Sequence, residues 1–459
     1  MQIPTSLRYL IVISASALLF VWGLPHTIAL RNTALFLGAL GSIYFLLRYR
    51  PFELSWKALP LVLAYGLLLW VIVHYCFFAQ EPQLELLEIK NLWIRVFCGM
   101  LIATAMGVLI RQPSHLNTLF IISFFGMSIS IVAVYLFNSH RLDHLLTPNE
   151  FYVFLFDRNK VGAAFFSTVD LAVGCASLGY LFYADSIRHA FVKSVGVILL
   201  MALSLSASVI ANSKNGVGIG VILLTLFVAS ILISILRNKP PNKRLHGIGL
   251  VSFTVVVFSM LIFIHGKSAS PGWNNLFYDI QTAVQIDKYQ AWRGPIASGG
   301  EPIPKNSLGI AVAGNTYERY AWIAAGSREV LKHPLGYGLV NHPSFVRWLA
   351  KDGIAIDGQA STHSGWVDLA LAFGLPSITI LFGCLFLILY QSLINKASIQ
   401  FHEYLALWIS VAVFFAGFVQ EISFKHTFEA LIFFITFSAA CINPLSNRID
   451  IPKYRIIGN

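Results

Sequence analysis

Residues 192–236 read VKSVGVILLMALSLSASVIANSKNGVGIGVILLTLFVASILISIL. Two apolar runs, 192–211 and 216–236, flank the short polar stretch Asn212-Ser213-Lys214-Asn215-Gly216. Each run is about the 20 residues that a helix needs to cross the hydrocarbon core of a bilayer. A chain in lipid must satisfy its own backbone polar groups, so the reading is two transmembrane helices joined by a tight turn. Similar runs recur outward from this pair at 7–24, 32–48, 58–79, 92–110, 116–137, 160–183, 248–265, 364–390, 403–420 and 427–443, twelve in all. Overall 57% of the 459 residues are hydrophobic and only 12% charged. Soluble globular chains carry about 25% charged residues. The sequence therefore predicts an all-α polytopic membrane protein of about twelve spans and excludes a large water-soluble core.

One insertion breaks the rhythm. Residues 1–265 carry spans 1–9, residues 266–363 form one long polar segment, and residues 364–459 carry spans 10–12 and a tail. Between spans 3 and 4, Glu81, Glu85, Glu88 and Lys90 lie among leucines, a pattern expected of a helix lying at the membrane interface. With the N-terminus inside, the inner segments hold 15 Lys and Arg and the short outer ones 8. Positive charge stays on the cytoplasmic side, so both termini are expected there and the long segment outside. The net charge of +11 follows from the same bias, and no aromatic-basic module points to nucleic acid. The run after Arg8 reads as an uncleaved first span, since no small-residue cleavage site follows it. All five cysteines (Cys76, Cys98, Cys175, Cys384, Cys441) fall in apolar runs without a CxxC, so neither a disulfide frame nor a metal-ligand cluster is expected.

Chemistry-bearing residues gather at the outer ends of the runs. Within the long segment, Asn315 with Glu318 three residues on reads as a helix start and Pro334 as a stop, giving a helix over about 316–332. Arg319 and Arg328, nine residues apart, fall on opposite faces of it, so only one can point into a given site. Either is equally readable as a solvated surface arginine. Ser361-Thr362-His363-Ser364 opens span 10, with Ser361 or Thr362 as N-cap and His363 in the first turn. A helix N-terminus disfavours added positive charge and keeps an imidazole neutral, which suits a general base; a polar residue ending a span is the plainer alternative. Lys214, in the turn quoted above, and Arg158, in Asp157-Arg158-Asn159-Lys160, could each hold a phosphate or simply snorkel to the headgroups. Asp170 and Asp368 fall within runs, where ionisable groups are costly. Asp368, five residues past His363, is poorly placed to orient that ring.

Taken in order, these pieces resemble the O-antigen ligase family and its wider superfamily of ligases and polymerases acting on lipid-linked glycans. The resemblance covers the architecture of the whole chain and rests on three places. Asn212-Ser213-Lys214-Asn215-Gly216 stands where the family has a Ser-Arg-Gly-like turn. Arg319-Tyr320-Ala321-Trp322 followed by His333-Pro334-Leu335-Gly336-Tyr337-Gly338 is similar to its Arg/Trp helix and Pro-Leu-Gly-x-Gly turn. His363-Ser364, followed by Phe373-Gly374-Leu375-Pro376, is similar to its His-Asn…Gly-Leu stretch. Lys214 stands in place of an arginine and Ser364 in place of an asparagine. The first change keeps charge but loses the bidentate fork.

The resemblance implies a metal-independent inverting glycosyl transfer, without cofactor, at the periplasmic face of a bacterial inner membrane. The donor would be a glycan on undecaprenyl diphosphate and the acceptor a sugar hydroxyl of lipid A-core. His363 would be the base, with Arg319, Lys214 and Arg158 on the diphosphate, and membrane lipids would surround both substrates. Within the superfamily the alternatives are an O-antigen polymerase, with Arg347 and Gly358 matching an Arg-x10-Gly spacing once, and a protein O-oligosaccharyltransferase. A polysaccharide or lipid transporter is the rival from another class, although the long insertion is off-centre and no repeat relates the two halves.

Overall fold

The computed structural model describes residues 3–446 apart from 54, 113, 148–149, 152–159, 185–186, 237–246, 250, 253, 257, 261–262, 264–274, 359–360, 395–399 and 422–424. Among the described residues the principal α-helices are α1 (Thr5–Val21), α2 (Ile28–Tyr49), α3 (Leu59–Phe77), α4 (Pro82–Glu88), α5 (Ile94–Leu109), α6 (His115–Phe124), α7 (Gly126–Leu142), α8 (Lys160–Ala184), α9 (Ile187–Ile210), α10 (Lys214–Leu236), α11 (Leu276–Ala283), α12 (Gly314–Lys332), α13 (Ser344–Lys351), α14 (Gly365–Ile394), α15 (Phe401–Val419) and α16 (Lys425–Ile442). No strand occurs among the described residues, so the chain is all-α.

Among the described residues, eight helical runs are long and apolar enough to cross a membrane. The pair α6–α7, bent by 58°, would make a ninth, and α1, Gly247–Met260 and His426–Ile442 are shorter apolar helices. Helix covers most of the described residues of each apolar run, while the described spans number eight, or nine with the bent pair. Polar residues inside the spans are accommodated locally: Thr104, Thr168 and Thr436 each donate their hydroxyl to the carbonyl four residues back, at 2.7, 2.7 and 2.8 Å. In the bundle α16 packs on α5, α8 on α9 and α15, and α14 on α3. At one end Arg111 donates to the Ala440 carbonyl (2.6 Å) and Arg8 to that of Gln112 (2.8 Å), so charged side chains cover the last carbonyls of helices.

The polar insertion occupies the other end and has a core of its own, including Trp292, Tyr317, Phe345 and Trp348, closed by Leu371 of α14. Two features dock it. First, α14 is broken at Phe373 and Gly374, where Gly374 takes φ +72°, and Pro376 follows. The carbonyls freed by the break are met by the insertion: Tyr337 N–H donates to Leu371 (2.9 Å) and Gly338 N–H to Ala372 (2.6 Å), while Leu375 N–H donates to Pro334 (2.8 Å). A Cβ at Gly374 would run into the Pro334 carbonyl, so this left-handed, backbone-crowded position requires glycine. Irregular backbone at the membrane edge is tolerable because the insertion satisfies it.

Second, Glu81, Glu85 and Glu88, expected on a helix at the interface, lie on or beside α4 and engage the insertion. A π-turn at Ile89–Trp93 joins α4 to α5 in one run, Pro82–Leu109, and the carboxylates face the insertion. Glu88 accepts from the backbone N–H groups of Val340 (2.8 Å), Asn341 (2.9 Å) and His342 (3.0 Å). Glu81 accepts from the Tyr337 hydroxyl (2.7 Å) and pairs with Arg347. Glu85 lies 2.9 Å from Nδ1 of the fully buried His74.

Candidate functional site

The turn that opened the sequence reading is built as a helix junction. Asn212 takes φ +44°, which asparagine tolerates, and ends α9. Ser213 Oγ accepts from Gly216 N–H (3.1 Å), capping α10, so Lys214 is the first residue of that helix. Asn215 donates to the Val419 carbonyl (2.8 Å) and ties the turn to the end of α15. Lys160 likewise opens α8. Both helix starts face a cavity of about 480 Å³ that is also lined by Arg319, Asn315, Tyr320 and Gln420. Three cationic side chains, Lys160, Lys214 and Arg319, therefore surround one volume, and two helix N-termini add their partial positive charge. Burial lowers the Arg319 pKa from its ordinary value, opposed by the nearby Glu421, Tyr320 and Glu318. Apolar side chains Val161, Ile219, Ile222 and Val419 complete the lining on the bundle side.

The expected helix over 316–332 is α12. It starts two residues earlier, at Gly314, with Ala313 rather than Asn315 at the cap position. Its two arginines do lie apart. Arg319 is in the cavity, whereas Arg328 reaches the exposed surface and forms a bidentate pair with Asp287 (2.6 and 2.7 Å).

His363 is not in the first turn of α14. That helix starts at Gly365, and His363 precedes it in a left-handed conformation, φ +56°. The conformation is held by Thr362, whose N–H and hydroxyl both donate to Asp368 Oδ1 (2.9 and 2.6 Å). Asp368 thus shapes the backbone before the helix and leaves the ring alone. The ring is oriented instead by Glu421, whose Oε2 lies 3.2 Å from His363 Nδ1, and by Trp322, which stacks on it at 5.4 Å and 20°. Glu421 lies on the Nδ1 side of the ring, which leaves Nε2 as the nitrogen that can act on another group. Glu421 follows Gln420 of the cavity wall, and Trp322 lies one turn beyond Arg319, so the elements that hold the ring also contribute to the cavity wall. Burial raises the Glu318 pKa, with His363 and Arg319 opposing.

Of the residues singled out in sequence, Arg319 and Lys214 line the cavity, His363 lies outside its lining beside Glu421, whose charge also acts on Arg319, and Arg158 lies outside the described residues. Lys160 and Glu421 were missed. Their signal was position alone, a charge at the outer boundary of an apolar run. Glu329, His333 and Asp352, to which the sequence assigned no metal role, bring one ligand atom each within 4.8 Å of one another, away from this cavity. Asp170, hydrogen-bonded by Ser128 (2.5 Å), is a buried packing residue. No family model and no curated protein matches the sequence.

Proposed function

We propose that the protein is a membrane glycosyltransferase of the O-antigen ligase type. It transfers a glycan from undecaprenyl diphosphate to a sugar hydroxyl of lipid A-core at the periplasmic face of a bacterial inner membrane. The observation that carries this reading is the three-cation cavity together with the His363–Glu421 pair, whose Glu421 directly follows the cavity residue Gln420. A diphosphate-linked sugar needs charge stabilisation where the leaving group departs and a base where the hydroxyl attacks, and little else. In the proposed reaction His363 Nε2 takes the acceptor proton as the oxygen attacks the anomeric carbon, Glu421 stabilises the imidazolium, and the C–O bond to phosphate breaks with inversion. Arg319, Lys214 and Lys160 hold the diphosphate as its charge grows; Arg158 belongs to the same group by sequence position. The apolar lining toward α8 and α10 suits the start of a polyprenyl chain.

Against a polymerase stands the use of Arg347, which is engaged with Glu81 in docking the insertion. Against a transporter stand Asp170, which is hydrogen-bonded by Ser128, and Asp368 Oδ1, which holds the backbone and hydroxyl of Thr362. Deleting the gene and examining lipopolysaccharide tests the reading. Loss of a ligase leaves long lipid-linked chains unattached, whereas a single attached repeat would assign a polymerase and unchanged lipopolysaccharide would remove the proposal.

A further inference from the structure

Glu329 and His333, four residues apart at the end of α12, share one helix face, and Asp352, just past α13, closes on them. Lys332 Nζ engages one oxygen of each carboxylate, Glu329 Oε1 at 2.8 Å and Asp352 Oδ2 at 2.5 Å. The second oxygens turn toward the His333 ring. Nε2 lies 3.8 Å from Glu329 Oε2 and 3.6 Å from Asp352 Oδ1, too far for direct hydrogen bonds. These separations are close to the edge of about 3.3 Å that metal–ligand bonds of about 2.0–2.1 Å impose on a tetrahedral shell. Glu329 is only 1% exposed, and its Oε2 has no hydrogen-bond partner, nor does His333 Nε2. A buried carboxylate oxygen left without a partner is costly, and one ammonium faces two carboxylates here. The imidazole is stacked flat on Trp348, at 3.7 Å and 3°, which fixes the direction of its Nε2.

We infer that Glu329 Oε2, His333 Nε2 and Asp352 Oδ1 form a binding site for a zinc-type divalent cation, with water in the fourth position. One nitrogen and two carboxylate oxygens suit that class. Asp352 and His333 are about a quarter exposed, so the ion can reach the site from solvent. Its role is structural. It would join the last turns of α12 and α13 next to Pro334, whose carbonyl anchors the break in α14. The inference does not rest on the proposed transfer reaction, which takes place at the other end of α12.

The test is a titration of chelator-treated, full-length protein in detergent with Zn²⁺, and with Co²⁺ as a spectroscopic probe of four-coordinate N/O ligation. One saturable equivalent is expected in the wild type, together with a rise in unfolding temperature. Affinity should fall about tenfold or more in His333→Gln and in Asp352→Asn, as loss of a direct ligand requires. The unfolding temperatures of the metal-free variants show that they remain folded. Absence of a saturable equivalent in the wild type, or undiminished affinity in both variants, overturns the assignment.

Discussion

Two charged regions lie on the same end of the bundle and use their charge in opposite ways. Along α4, Glu81, Glu85 and Glu88 meet the insertion itself, on backbone N–H groups, a tyrosine hydroxyl, an arginine and a histidine. Around the cavity, Lys160, Lys214 and Arg319 are arranged about open volume. The first region holds the roof down, and the second lines a cavity. Charge density alone does not separate them; what the charges converge on does.

The largest effect expected at the cavity is that of His363→Ala. Removing the base should lower transfer by about 10²–10⁴-fold in a purified donor-plus-acceptor assay, with normal membrane levels. Glu421→Gln should cost about tenfold, since the imidazole remains but loses its charge partner. Full transfer by His363→Ala would end the mechanism. Next, Arg319→Ala should reduce transfer about 10²-fold by removing a donor aimed at developing charge, and Arg328→Ala should leave it within about twofold. Equal effects would erase the distinction between the two faces of α12. On the docking side, Glu88→Ala should destabilise the protein by about 3 kcal/mol, because buried N–H groups of 340–342 lose a charged acceptor. Thermal unfolding and limited proteolysis of the insertion would read this. The folded fraction should still transfer glycan normally, and a catalytic loss at full stability would move Glu88 into the functional group.

Much of the fold was legible because lipid imposes a simple rule. A run of about 20 apolar residues becomes a helix whatever surrounds it. The helix α12 was equally readable, since Pro334 cannot continue it and the arginine spacing sets its faces. The partners of the acidic residues of α4 were not legible because an acidic, leucine-rich stretch looks the same at an interface and under a docked domain. Only the insertion, more than 250 residues away in sequence, distinguishes the two.

The sequence by itself determined the all-α membrane class, the place of the insertion, and the identity of His363, Arg319 and Lys214 as the residues worth testing. Tertiary structure decided their partners. The break at Gly374 is stable only because Tyr337 and Gly338 supply its hydrogen bonds. His363 takes its orientation from Glu421 on α15's far side of the sequence, and Lys160 joins Lys214 because α8 and α10 start side by side. Local patterning reports which solvent a segment prefers, whereas a site depends on directional contacts between segments, and those exist only once the helices have packed.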